Sequence, residues 1–183
     1  MSQLADTCAR IRLPDRRVAE ETQRLLDGKT KPRRSLGRLE DLACQIAAAR
    51  GSALLGPTQK AIVVMGADHG VCAEGVSAYP REVTGQMLLN FARGGAAINV
   101  LARHAGAEVV VVDMGVVTPT VHDASRPGEA VARIRTHRIG AGTRNFAHEP
   151  AMTRAQAAAA LEVGIGIANE LVGRGVTLLG IGD

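Results

Sequence analysis

Three aspartates stand where chemistry would call for them: Asp68 in Gly-Ala-Asp-His-Gly, Asp113 in Val-Asp-Met-Gly, and Asp183 at the last position. Each ends or follows a short aliphatic run, and in open parallel sheets ligands bind beyond the carboxyl ends of the strands. As a set they place three carboxylates around one crevice. Singly, each is equally suited to capping the turn or helix that follows it. Asp68-His69-Gly70 has the look of a metal or catalytic dyad, yet a metal needs more ligands at workable spacing, and no H-E-x-x-H pattern accompanies it. A turn histidine satisfied by a neighbouring carbonyl is the simpler use of His69. The third candidate is Gly140-Ala-Gly142-Thr-Arg-Asn145, a loop rich in backbone donors that can cradle a carboxylate or phosphate beside Arg144. It is not a dinucleotide fingerprint, because Asn145 stands where the last glycine belongs, and a glycine pair in a loop is more often only a turn. No nucleophile–base pair and no metal cage is visible, so neither metal nor cofactor is expected.

The elements that must position these residues follow from periodicity and punctuation. Lys60-Ala-Ile-Val-Val-Met-Gly, Glu108-Val-Val-Val-Val-Asp-Met-Gly and Gly175-Val-Thr-Leu-Leu-Gly-Ile-Gly are short aliphatic runs bounded by glycine, which predicts buried strands. A weaker strand is expected from Ala132 to Ile139. Between them lie a helix opening at Pro80 and running to Arg93, one from Ala96 to His104, and an alanine-rich one opened by the capping-box pattern Thr153-Arg-Ala-Gln156. Strand and helix alternate in the manner of a parallel α/β sheet flanked by helices, Rossmann-like in class. Ahead of it, Asp15–Asp27 and a stretch capped by Ser35 and stopped at Gly51 read as helices, joined by a basic linker, Lys29–Arg34, expected to be a solvated face. Residues 1–58 therefore form a smaller helical segment and 59–183 the α/β part.

Composition excludes several classes. Of 183 residues, 46% are hydrophobic and 22% charged, which is ordinary for a globular chain and rules out disorder. A net charge of +4 with no Trp, one Tyr and two Phe offers neither a basic stripe nor stacking platforms, so nucleic acid is not an expected partner. No uninterrupted apolar run is long enough to span a bilayer. Three widely spaced cysteines and no apolar leader point to a reduced, cytoplasmic setting.

Four segments, in order, resemble one family. They are Lys31-Pro-Arg-Arg-Ser-Leu-Gly-Arg-Leu-Glu40; Ala67-Asp-His-Gly-Val71 with Glu74-Gly-Val76; Tyr79-Pro-Arg-Glu-Val-Thr84 with Arg93-Gly-Gly95; and Gly140-Ala-Gly-Thr-Arg-Asn145 with Gly180-Ile-Gly-Asp183. The set is similar to the nicotinate-nucleotide–dimethylbenzimidazole phosphoribosyltransferases, from about Leu13 to the last residue. The resemblance implies transfer of phosphoribose from nicotinate mononucleotide to 5,6-dimethylbenzimidazole, giving α-ribazole 5′-phosphate and nicotinate, in a full-length enzyme that is a homodimer. Members of the family are about twice as long. The chain thus reads as an N-terminal half, inactive by itself, with the phosphate loop and the catalytic glutamate lying beyond it. A non-catalytic module for a small aromatic ligand is the alternative. By the same resemblance Tyr79 and Met87 occupy positions that contact the benzimidazole, filled by Ser and Gln in some members, and Asp183 stands close to the ribose and the rings. If the helix opens at Pro80, Met87 lies about two turns beyond Tyr79 and shares its face.

Overall fold

A computed structural model describes residues 2–53, 56, 58–118 and 133–182, so Asp183 and Ala132 lie outside the described residues. The chain divides into two compact units, residues 5–57 and residues 58–183 together with 1–4. Helix α1 (Gln3–Arg10), which periodicity did not indicate, runs across the start of the smaller unit.

In that unit α2 (Arg16–Asp27) packs on α3 (Arg38–Arg50). Asp15 caps α2 by accepting the Arg17 N–H at 2.9 Å. The start of α3 differs from expectation. Ser35 is not its cap: the chain turns through residues 33–37, and Gly37 at φ +53° takes the cap position with no side-chain hydrogen bond. The capping work falls instead to Glu40 inside the first turn, whose Oε1 accepts the Leu36 N–H at 3.2 Å. A carboxylate near a helix N-terminus is favoured there by the unsatisfied amides as well as by the dipole.

Glu40 is only 1% exposed, and it draws in part of the linker. Lys31 Nζ donates to Oε1 at 2.8 Å and Gln23 Nε2 to Oε2 at 3.1 Å. The Lys31 side chain is 13% exposed, so the expectation of a uniformly solvated basic face fails at this residue. A buried carboxylate needs a charged partner and hydrogen bonds to every exposed lone pair, and Lys31 is the cation within reach. The Lys31 hydrogen bond, with help from Gln23 and the Leu36 amide, outweighs desolvation and holds the Glu40 carboxyl below its ordinary value.

The larger unit is a four-stranded parallel sheet in the order β3-β2-β1-β4, made of β1 (Gln59–Ala67), β2 (Ala107–Gly115), β3 (Arg135–Thr136) and β4 (Val176–Gly182). Val63 sits in register with Val110 on one side and Ile181 on the other. Among its described residues are three α-helices, α4 (Glu82–Arg93), α5 (Ala97–Ala105) and α6 (Arg154–Gly173). Alternation along the strands explains why the aliphatic runs are continuous. Ala61, Val63, Val110 and Val112 pack against Ile167 and Leu171 of α6, whereas Val111 packs with Leu88 and Ala92 of α4. Both faces are therefore apolar, as parallel sheets flanked by helices require. This is the α/β class that alternation of elements indicated.

The expected strand 132–139 shortens to Arg135–Thr136 among the described residues. Past it, His137 and Ile139 donate their N–H groups to the carbonyls of Asp113 and Met114 at 2.9 Å each, continuing the pairing without ladder regularity. α6 opens as its sequence indicates, with Thr153 Oγ1 accepting the Gln156 N–H and the Gln156 side chain accepting the Thr153 N–H. On the edge strand β4, Leu178 and Ile181 are 53% and 86% exposed. Among the described residues, no helix is long and apolar enough to cross a membrane.

Candidate ligand cleft

Three connections meet at the carboxyl ends of β1 and β2. The chain leaving β1 is stapled to the chain leaving β2 by Asp68 N–H donating to the Gly115 carbonyl at 3.2 Å, and by Val117 N–H donating to Asp68 Oδ2 at 2.6 Å. The loop after β3 joins them: Thr143 N–H donates to the Asp68 carbonyl at 2.9 Å, and Gly70 N–H to the Thr143 carbonyl at 3.1 Å. Close approach is built in. A Cβ at Gly70 would lie 2.5 Å from backbone atoms of both Arg144 and Asn145.

This arrangement decides between the readings of the aspartates. Asp113 is 2% exposed, and its Oδ1 accepts the N–H groups of Gly115 and Val116 at 2.9 Å each; its other oxygen faces Arg138 at 3.9 Å. Asp68 is 3% exposed and spends Oδ2 on Val117. Both carboxylates therefore hold turns, as the capping reading of each expected, while Asp183, the third acid of the set, lies outside the described residues. The second half of the 140–145 loop is tied internally. Thr143 and Arg144 donate their amides to Asp68 and Ala151, and the Arg144 guanidinium pairs with Glu149 at 2.7 Å. Asn145 and His148 both bond to Glu74 Oε1, at 2.5 and 3.0 Å. Among the described residues no group of His, Cys, Asp and Glu could hold a metal ion.

What the three connections frame is apolar. A cleft of about 900 Å³ opens between α4 and α6, walled by Met65, Met87, Phe91, Met114, Met152 and Leu161 among others. A smaller cavity of about 180 Å³ continues from it toward Gly140 and Gln156, sharing Ala67, His69, Met114 and Met152. Every methionine after Met1 lines the larger cleft. Methionine is unbranched and polarizable, suited to closing on a flat ring from several sides.

Of the residues singled out by resemblance, Met87 lies on the cleft wall. Tyr79 does not. It sits 71% exposed in the chain before α4, which begins at Glu82 and not at Pro80, so the shared-face relation between Tyr79 and Met87 does not hold. Asp183 lies outside the described residues. Sequence reasoning missed Met65, Met114 and Met152, although Met65-Gly66 and Met114-Gly115 each carried a signal: methionine before glycine at the carboxyl end of a strand.

Fold and cleft together define an α/β protein with an apolar, methionine-lined cleft beyond its parallel strands. Residues 11–183 match the family model described as "Phosphoribosyltransferase" (DBI_PRT). Over all 183 residues the chain is 50% identical to the nicotinate-nucleotide–dimethylbenzimidazole phosphoribosyltransferase of Roseiflexus sp. (strain RS-1), covering 50% of that protein. The namesake from Geobacter sulfurreducens is 49% identical, again with 50% of its length covered. A crystal structure of the Thermus thermophilus protein of the same name superposes with a TM-score of 0.80 at 44% identity, covering 92% of this chain and 49% of that one. The chain belongs to this phosphoribosyltransferase family, that of the nicotinate-nucleotide–dimethylbenzimidazole enzymes, and spans about half the length of the relatives it matches.

Proposed function

We propose that this chain serves the transfer of phosphoribose from nicotinate mononucleotide to 5,6-dimethylbenzimidazole in the synthesis of the cobalamin lower ligand. The observation that carries this reading is the 50% identity running through all 183 residues to a relative of that name, and the cleft supplies a matching site for a flat heterocycle. In this reaction a ring nitrogen of the base bonds to the anomeric carbon, with inversion, as the bond from that carbon to nicotinate breaks. The departing pyridinium keeps the electron pair and becomes neutral, so the leaving group needs no proton. What remains is to hold two flat rings in line and to accept one proton from the base, which is a demand on proximity and on a single acceptor. The methionine-lined wall contributes to the first by packing the base and keeping water from the anomeric carbon. A cytoplasmic setting, in keeping with Cys8, Cys44 and Cys72 as free thiols, and a homodimeric full-length enzyme belong to the same reading.

Asp68 and Asp113 are engaged by backbone amides, and the resemblance puts the family's catalytic glutamate beyond residue 183. The polypeptide of residues 1–183 is therefore expected to bind dimethylbenzimidazole but to form no α-ribazole 5′-phosphate when mixed with both substrates and followed by chromatography. Turnover at an enzymatic rate would show that the base lies within these residues.

Met87→Ala, in a polypeptide competent for turnover, is expected to raise KM for dimethylbenzimidazole by about fivefold through loss of a sulfur–aromatic contact worth about 1 kcal/mol. KM for nicotinate mononucleotide should stay as it was. Tyr79→Ala should have the smaller effect of the two, because its ring is largely in solvent. Steady-state kinetics with each substrate varied in turn decide it, and equal changes in both KM values would remove Met87 from the base site.

A further inference from the structure

We propose that Gln156 selects the substituent on the carbocyclic edge of the bound base, and that the smaller cavity is a subsite for a group bearing a hydrogen-bond acceptor, such as a methoxy oxygen; the assignment rests on the proposed transferase reading. Both nitrogens of a benzimidazole have tasks in that reaction, one bonding to the anomeric carbon and the other giving up its proton. The five-membered edge therefore faces the ribose and the proton acceptor. The opposite edge, with ring positions 5 and 6, points the other way. The smaller cavity continues from the cleft and is able to take that edge. No carboxylate lines it, and its volume of about 180 Å³ suits a substituent of a few atoms.

Gln156 brings to that cavity a donor that is fixed and unspent. Its Oε1 accepts the Thr153 N–H at 2.9 Å. A backbone N–H only donates, so the branch of the amide facing Thr153 is the oxygen and the other branch is Nε2. Nε2 lies 3.7 Å from the point that a Cβ on Gly140 would occupy, and the glycine leaves that space open. Both residues line the cavity. Among the described residues Nε2 makes no hydrogen bond. The other polar side chains there are engaged or shared. Thr143 Oγ1 donates to the Arg144 carbonyl at 3.1 Å, the Arg144 guanidinium pairs with Glu149 at 2.7 Å, and His69 lines the larger cleft as well. Gln156 lines the smaller cavity alone, with Met114, Ile139, Met152 and Ala160. A fixed donor at a largely apolar space favours a ligand with an acceptor there and is left unpaired by one without. The cap needs only the oxygen, which Glu supplies as well as Gln. The amide nitrogen is what Gln adds.

The test uses the 183-residue chain labelled with ¹³C at the methionine methyls, titrated with two probes of nearly equal shape, 5-methoxybenzimidazole and 5-ethylbenzimidazole. Met114 and Met152, which wall both spaces, report occupancy. The expected result is saturable binding of both probes, with the methoxy compound about fivefold the tighter. Gln156→Glu keeps the capping oxygen and removes the N–H donor, so the preference should reverse in favour of the ethyl compound. Backbone amide spectra, with the Thr153 amide as in the parent, establish that fold and cap are retained. His69→Ala should keep the parent's preference. No preference for the methoxy compound in the parent, a preference that survives Gln156→Glu, or one that is lost with His69 instead would overturn the assignment and leave the reading of the cleft standing. If neither probe moves the methionine methyls, the cleft reading falls and the assignment falls with it.

Discussion

Gly70→Ala is expected to destabilise the larger unit by about 2–4 kcal/mol and to abolish binding in the cleft. The added Cβ would stand 2.5 Å from the carbonyl carbon of Arg144 and the amide nitrogen of Asn145, and 2.7 Å from the Thr143 carbonyl oxygen. These are backbone atoms of a loop held from its other side by Arg144–Ala151, Arg144–Glu149 and Asn145–Glu74 contacts, so no flexible side chain can give way. Relief requires the 140–145 loop to lift, which breaks the Gly70–Thr143 and Thr143–Asp68 hydrogen bonds that shape the cleft mouth. Gly75→Ala is the control. That glycine has φ +71° and nothing within 4 Å of its would-be Cβ, so only left-handed backbone strain of about 1 kcal/mol is expected. Denaturant unfolding of both variants separates packing from strain. Equal stability of the two would mean that the three connections are not locked as described.

The second large effect is expected at Glu40. Glu40→Leu leaves the mostly buried Lys31 ammonium, the Gln23 amide and the Leu36 N–H without their shared acceptor, and breaking one side of a buried ion pair is strongly destabilising. A fall in Tm of several degrees or more is expected for the smaller unit, with Glu40→Gln intermediate because it keeps an acceptor but not the charge. The pH dependence has a definite sign. The folded-state pKa of Glu40 is lowered from the ordinary value of 4.5, so its contribution is fully present above that value and is lost as pH falls through the folded-state pKa. The gap in stability between the parent and Glu40→Gln should be widest near neutral pH and should close below 4.5. A gap that stayed constant down to acid pH would mean that Glu40 acts by shape alone.

Much of the fold was legible because its causes are local. β1, β2 and β4 announced themselves as aliphatic runs; for β1 and β2 the reason is that a strand covered on both faces needs apolar side chains at odd and even positions alike, whereas β4 at the sheet edge leaves Leu178 and Ile181 exposed. The start of α6 was legible from two residues, because Thr153 and Gln156 satisfy each other's amides within one turn. The start of α3 was not. Its cap is Glu40, whose partners Lys31 and Gln23 lie 9 and 17 residues away, and no local pattern distinguishes that carboxylate from one in solvent.

The candidate site divides along the same line. Its place, beyond the carboxyl ends of parallel strands, and its family were readable from the chain. The roles of its residues were decided by tertiary structure. Asp68 became a staple because the Val117 amide, 49 residues on, came within 2.6 Å of it, and Tyr79 was left outside because α4 begins two residues after Pro80. Four scattered methionines became one wall because the crossovers of a parallel sheet bring the ends of β1 and β2, a turn of α4 and the approach to α6 to the same edge. Periodicity, caps and turn residues record what a segment does with its immediate neighbours. Which distant group consumes a carboxylate, and which side chains share a cavity, is settled only when the strands pair.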